Sequence, residues 1–236
     1  MCDRRRFGIF PEMGEPARQL EFPRFCTLDE YWKLADESLD KLEFRGFRSF
    51  PRRGEIVCMP GGTEWHGLII ANVGGEIRHR MRGKPCRFYS SEFRIGVHGY
   101  PTYTYSDGFV ICGPTVLDDR DPGGKTALNP RLIVEVLSPT TEAYDRGAKF
   151  KRYMDAESLQ EYVIVSQEEP RVEVFFRQPG GTWLLTPYAG TDATAVLRSI
   201  DVELPLAEVY LNVVFPAEAK GQDGVDPPKP EDGSPR

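Results

Sequence analysis

Three residues of this chain could do chemistry together: Asp107, Glu135 and Lys149. Glu135 lies inside Arg131-Leu-Ile-Val-Glu-Val-Leu137, which reads as a buried strand. Leu132, Val134 and Val136 fall on one face, Ile133 and Leu137 on the other. Glu135 shares the second, apolar face, where an unpaired charge is costly, so a cation, a metal or a proton must compensate it. Asp107 begins a second buried-type strand, Gly108–Cys112, and the loop between the two strands is centred near residue 121, equally distant from both acids. An antiparallel pairing would set the two carboxylates opposite each other, with Cβ atoms about 4.5–5.5 Å apart. Like charges at that distance repel, and a divalent cation between them removes the conflict. Oxygen-only ligands favour Mg²⁺ or Mn²⁺ over zinc. A lysine beside such a metal can orient or deprotonate a water, or hold charge on a phosphate. Asp, Glu and Lys around one metal thus form a phosphodiester-hydrolysis constellation. Glu135 and Lys149 read equally well as a structural ion pair.

These residues need elements to position them. Ser138-Pro-Thr-Thr reads as a helix start. In the helix that follows, Asp145, Lys149 and Tyr153 are spaced i, i+4, i+8 and share a face that could pack back on Glu135. Lys151 turns to another face. Upstream, Thr27-Leu-Asp-Glu30 is a capping box opening a short helix to about Ser38, with Leu28, Tyr31, Trp32 and Ala35 as its apolar stripe. Strands are expected at Leu42–Phe50 and Glu55–Met59, and a helix from His66 through Ile77, in which Gly74-Gly75 costs helix propensity or permits close packing. Its end and the following turn are basic: Arg78, Arg80, Arg82, Lys84 and Arg87. Such a run reads as a solvated face favoured by the helix dipole, or as a phosphate track through Arg78, Arg82 and Lys84. Strands follow at Arg87–Tyr89 and Phe93–Val97, then at Glu161–Val165. Arg171–Phe176 and Thr182–Tyr188 form a hairpin, and Ile200–Leu211 closes the fold with a short helix near Leu206. Residues 1–24 read as an irregular arm, 25–215 as the folded domain, and the Pro-rich acidic stretch 216–236 as a disordered tail.

A chain of 236 residues, 40% apolar, can bury one substantial core. No apolar run reaches the roughly 18–20 residues of a membrane helix, and Met-Cys-Asp-Arg-Arg-Arg has no secretory apolar region. The net charge of −6 argues against broad non-specific nucleic-acid binding, though not against a locally basic cleft. The five cysteines are scattered without a C-x-x-C pair, so neither a disulfide framework nor zinc is expected, which suits a reducing cytoplasm.

The stretches Glu55-Ile-Val-Cys-Met59, His66, Tyr105-Ser-Asp107, Asn129–Thr141 and Asp145–Tyr153 resemble the Uma-two family, restriction-endonuclease-like proteins of the PD-(D/E)XK nuclease superfamily. The similarity runs from about Thr27 to Leu211, and Glu135–Tyr153 is its most specific part. It implies an α/β core, a central mixed sheet flanked by helices with an added β-hairpin region. It also implies metal-dependent endonuclease activity on nucleic acid, DNA before RNA, with Asp107 and Glu135 holding Mg²⁺ or Mn²⁺. The superfamily's usual lysine, two residues after the glutamate, is replaced here by Leu137. The family is similar in this departure, which points to Lys149. Glu55, His66, Asp145 and Tyr153 match supporting positions. Ser106 stands where the family usually has Pro. Two further readings remain: a catalytically silent relative that binds nucleic acid or a protein partner, and a structural oligomer subunit. The expected partners are nucleic acid and a second copy in a homodimer, with no membrane.

Overall fold

The computed structural model describes residues 23–46, 53–59, 61–97 and 101–215. Most of the expected arm and all of the expected tail lie outside the described residues. In chain order the elements are β1 (Phe25–Thr27), α1 (Leu28–Glu37), β2 (Leu42–Gly46), β3 (Arg53–Cys58), α2 (Glu64–Arg80), β4 (Cys86–Ser90), β5 (Arg94–Val97), β6 (Thr102–Thr104), β7 (Gly108–Cys112), β8 (Thr126–Ala127) and β9 (Leu132–Val136). A helical segment follows: α3 (Glu142–Tyr144), a π-helical turn (Asp145–Lys149) and α4 (Phe150–Tyr153). Then come β10 (Glu161–Val165), β11 (Arg171–Arg177), β12 (Trp183–Ala189), β13 (Thr194–Leu197), β14 (Val202–Pro205) and α5 (Leu206–Val209).

The central sheet has the order β12-β11-β10-β9-β7-β4. It is mixed: β9 and β10 run parallel, joined by the helical crossover, and its other pairings are antiparallel. The period-2 pattern read from β9 sends its two faces into two different cores. Leu132, Val134 and Val136 pack with Ile69, Val73 and Ile77 of α2 and with the β13–β14 region. Ile133 and Leu137 pack with Phe150, Tyr153 and Tyr162, and with Ile95 and Val97 of a second sheet. The layers are therefore α2, the central sheet, and then the 142–153 helical segment together with that second sheet.

The second sheet, ordered β1-β3-β2-β6-β5-β8, was not expected from sequence as a unit. Its strands β2, β3 and β5 overlap expected strands, but no local pattern joins them into one sheet, and the six residues Thr102–Asp107 read only as a lead-in to β7. An aromatic cluster of Tyr31, Trp32, Phe44 and Tyr103 holds α1 against it. The expected capping box forms: Thr27 Oγ1 accepts from the Glu30 amide, and the Glu30 side chain accepts from the Thr27 amide at 2.7 Å. Gly74 and Gly108 have a packing reason. A Cβ at either would meet the Phe88 ring, at 2.9 and 2.3 Å, so the ring fits only between two bare backbones.

One expectation is overturned. Cys86 and Cys112 are register partners across β4 and β7 and are joined by a disulfide. Twenty-six residues separate them in sequence, so only the strand pairing brings them together. The support that unpaired cysteines lent to a cytoplasmic location falls away with this bond. Among the described residues no helix is long and apolar enough to cross a membrane.

Candidate functional site

The antiparallel ladder of β7 on β9 ends with Gly108 paired to Val134, and Asp107 and Glu135 are the residues that follow at that end, one on each segment. Their placements differ in what holds them. Asp107 ends the chain segment arriving from β6. Its Oδ2 accepts the Val136 backbone N–H at 2.7 Å, which fixes the carboxylate against β9. His66 lies in the first turn of α2, where the Thr63 side chain caps the helix by accepting the His66 amide. The imidazole Nε2 is 3.0 Å from the Val136 carbonyl and 3.4 Å from the same Asp107 Oδ2. The carbonyl requires Nε2 to carry the proton. Burial disfavours the imidazolium, but the Asp107 contact outweighs it and holds the His66 pKa above its usual value.

Glu135 is buried in β9. Its Oε1 accepts from Lys149 Nζ at 2.8 Å and from the Tyr153 hydroxyl at 3.2 Å. The Lys149 ammonium also faces Asp145 Oδ1 at 3.5 Å. The expected face of the 142–153 segment therefore does meet Glu135. It does so through a π-helical turn spanning Asp145–Lys149, not a plain α-helix. Such turns widen a helix by a residue and recur where side chains must be re-aimed. The Tyr162 hydroxyl donates to the Asp145 carbonyl at 3.0 Å and anchors the turn to β10.

Sequence reading missed Glu43. It comes from β2, is 2% exposed, and accepts from the Thr104 hydroxyl and from Arg45 Nη2 at 2.8 Å. Its charge reaches Lys149, Tyr153 and Tyr144. The Arg45 guanidinium lies over the Tyr144 ring at 3.8 Å and ties β2 to the helical segment. The only sequence signal was an acid at a core-facing position of a strand whose burial was not evident.

The cluster has more carboxylates than cations. Burial pushes the Glu135 carboxyl well above its usual range; Lys149 opposes this, and Asp145 and Asp107 reinforce it. Asp145 is raised for the same leading reason. Burial works against a charged Lys149, yet Glu135, Glu43 and Asp145 outweigh it and hold the ammonium pKa well above normal. Both members of the Glu135–Lys149 pair thus bind a proton more tightly than in water, as expected where negative charge is in surplus.

The donor set suits a hard divalent cation. Among the described residues, the hydrogen bonds to these two acids fall on Asp107 Oδ2 and Glu135 Oε1, which leaves Asp107 Oδ1 and Glu135 Oε2 as oxygen donors. Among the described residues no group of three or more His, Cys, Asp or Glu side chains is placed to hold a metal ion, so a cation here would have two protein carboxylates at most. Two carboxylates with open positions match Mg²⁺, which keeps waters and takes few protein ligands, and do not match a structural zinc.

Of the remaining candidates, Glu55 in β3 pairs with Arg24 at 3.3 Å, and its register partner in β2 is Arg45, the residue that holds Glu43. Arg78 and Arg82 are exposed near the far end of α2, with Arg78 about 18 Å along the axis from His66. Lys84 donates to the Ile200 carbonyl at 2.9 Å and pairs with Asp201 at 3.0 Å, so it fastens the β13–β14 turn. Leu137 is 5% exposed within the apolar core.

The family described as "Putative restriction endonuclease", Uma2, matches residues 28–207. An uncharacterized protein of Synechocystis is 30% identical over 195 residues, 82% of this chain and 95% of that one. A second protein from that organism is 28% identical over 170 residues, covering 72% and 91%. The crystal structure of "a putative nuclease belonging to DUF820" from Anabaena variabilis superposes with a TM-score of 0.62 at 18% identity, covering 80% of this chain and 99% of the other. At that identity the likeness speaks for the fold.

Proposed function

This chain belongs to the Uma2 family and has a restriction-endonuclease-like α/β fold, and on that premise we propose that it is a metal-dependent endonuclease hydrolysing DNA phosphodiester bonds. The observation that carries the reading is the Glu135–Lys149 pair, buried near the end of β9 with the Asp107 charge close by at the same end of the β7–β9 ladder and carboxylates in surplus around it. A structural ion pair needs no further acids, whereas a cation site does.

In this reading Asp107 and Glu135 hold Mg²⁺ or Mn²⁺ through the oxygens that make no internal hydrogen bond. When bound, the cation supplies Lewis-acid polarisation of a phosphoryl oxygen and acidifies a water. His66 and the Val136 amide hold Asp107 by one oxygen, so the other stays aimed. Tyr153 fixes the rotamer of Glu135. Lys149, kept charged by its neighbours, stabilises negative charge developing on the phosphoryl group. Residues 25–215 are the unit that folds around this site.

The test is incubation of the full chain with supercoiled plasmid and with duplex oligonucleotides, in Mg²⁺, Mn²⁺ or EDTA. Cleavage should require the metal, and Asp107→Asn, Glu135→Gln and Lys149→Met should each reduce it by about 10² or more, as loss of one electrostatic contributor does. Cleavage that persists in EDTA, or in all three variants, would refute the assignment. A second reading is favoured by the closed state of the pair, whose side chains are only 3% and 6% exposed. It is a silent nuclease fold that binds nucleic acid or a protein partner. Metal-independent duplex binding without cleavage would select it.

A further inference from the structure

Arg146 follows Asp145 in the π-helical turn, and Arg171 opens β11 two residues before Glu173. Period-2 alternation puts Arg171 and Glu173 on one face of β11. The Glu173 residue is 6% exposed and accepts from both arginines, one on each oxygen: Arg146 Nη1 on Oε2, and Arg171 Nε on Oε1 at 2.9 Å. Arg146 Nε is held by Glu142 at 2.7 Å. Two guanidiniums are thus clamped to one buried carboxylate, while the two arginine side chains remain 35% and 39% exposed.

Both arginines line a cleft of about 400 Å³ together with Leu137 and Ser138. A guanidinium has five N–H donors in a rigid fork that matches the oxygens of a phosphate. Glu142 and Glu173 occupy Nε and Nη1 of Arg146, Glu173 occupies Nε of Arg171, and Glu169 lies 4.0 Å from Arg171 Nη1, so among the described residues Nη2 of each guanidinium is the donor group left without a carboxylate. Four carboxylates, Glu142, Glu168, Glu169 and Glu173, line the cleft with the two arginines, so a phosphate there must be held by the directed Nη2 donors and not by the net charge; Glu168 and Glu169 are exposed, where solvent and salt screen them. Ser138 is three residues beyond Glu135, or about 10 Å along the chain. A strand with its scissile linkage at the carboxylates would carry a neighbouring phosphate to this cleft.

We infer that the cleft is a second phosphate subsite, in which Arg146 and Arg171 together grip a non-scissile phosphodiester of the bound strand. The substrate class is accordingly a polynucleotide and not an isolated diester. This rests on the nuclease reading, and the experiment separates the two.

The full-length parent, Arg171→Gln, Arg146→Lys and the double variant are compared for binding of a fluorescein-labelled DNA duplex, with Ca²⁺ replacing Mg²⁺. Arg146→Lys keeps a cation beside Glu173, so thermal melts should show it folded. The double variant should bind 10-fold or more weakly, and its log K against log salt should be shallower by about one unit, for the one cation lost at Arg171. With Mg²⁺, the ratio of kcat/KM for duplex to that for bis(p-nitrophenyl) phosphate should fall 10-fold or more in the folded variants. Folded variants with parental affinity and salt slope would overturn the subsite, and so would a parent that binds no duplex. A parent that binds through these arginines yet cuts neither substrate leaves the subsite standing and removes the nuclease reading.

Discussion

Replacing one member of the Glu135–Lys149 pair at a time tests the surplus of negative charge directly. Lys149→Met removes the cation lying 2.8 Å from Glu135 and 3.5 Å from Asp145, and leaves two buried acids facing each other. One must then take up a proton. For a carboxyl whose ordinary pKa is 4.5, that costs about 3 kcal/mol at pH 7. The melting temperature should drop by about 6–12 °C for a chain of this size. The sign of the pH dependence follows. A carboxyl whose folded pKa is raised contributes stability that is present below its unfolded value and lost as pH rises through the folded one. The Lys149→Met protein should therefore recover most of its deficit by pH 5. Glu135→Gln is milder, because Lys149 keeps Asp145 and the nearby charge of Glu43, and a buried like-charge repulsion disappears. It should cost about 1–2 kcal/mol, less than the usual 3–5 for a broken buried pair, with little pH dependence. Mn²⁺ at about 100 times its Kd should raise parental stability by about 2.7 kcal/mol, and Glu135→Gln should lose most of that gain. Differential scanning fluorimetry of the three proteins from pH 5 to 8, with and without Mn²⁺, reads all of this. If Glu135→Gln proves the more damaging change and the parent ignores Mn²⁺, the pair is structural and the cation site does not exist.

Leu137→Lys places a cation in the apolar core around Ile133 and should cost about 2–4 kcal/mol by urea unfolding; any gain in cleavage would show that Lys149 is not the functional lysine. Tyr153→Phe removes one donor to Glu135 and should cost about 0.5–1.5 kcal/mol, read by the same unfolding curves. His66 has a raised folded pKa, so its stabilising contribution is complete below its ordinary 6.5 and is lost as pH rises through the raised value; the gap in melting temperature between the parent and His66→Ala should narrow over that range. Reducing Cys86–Cys112 with dithiothreitol reopens a crosslink 26 residues apart and should cost about 2–4 kcal/mol, while Cys86→Ala/Cys112→Ala should melt at the same temperature with and without reductant.

The sequence by itself determined the features that depend on local pattern. Period-2 alternation assigned β9 and its two faces, and the structure sends those faces into separate cores as read. Thr27 and Glu30 announced a capping box, which forms. The spacing of Asp145, Lys149 and Tyr153 announced a shared face, which survives the π-helical turn because Lys149 and Tyr153 still reach Glu135. The distances of Asp107 and Glu135 from the centre of their loop announced the register that the β7–β9 ladder carries. Only tertiary structure decided the rest, because it depends on which distant segments are neighbours. Glu43 lies in an expected strand, but the second sheet that this strand joins is assembled from distant segments, and nothing local marks it as buried beside Lys149. Cys86 and Cys112 bond because two strands place them in register, which no cysteine spacing encodes. Lys84 has the residue type of a site but is committed to Asp201, because a charge takes the partner that folding brings within reach, not the one suggested by its neighbours in sequence.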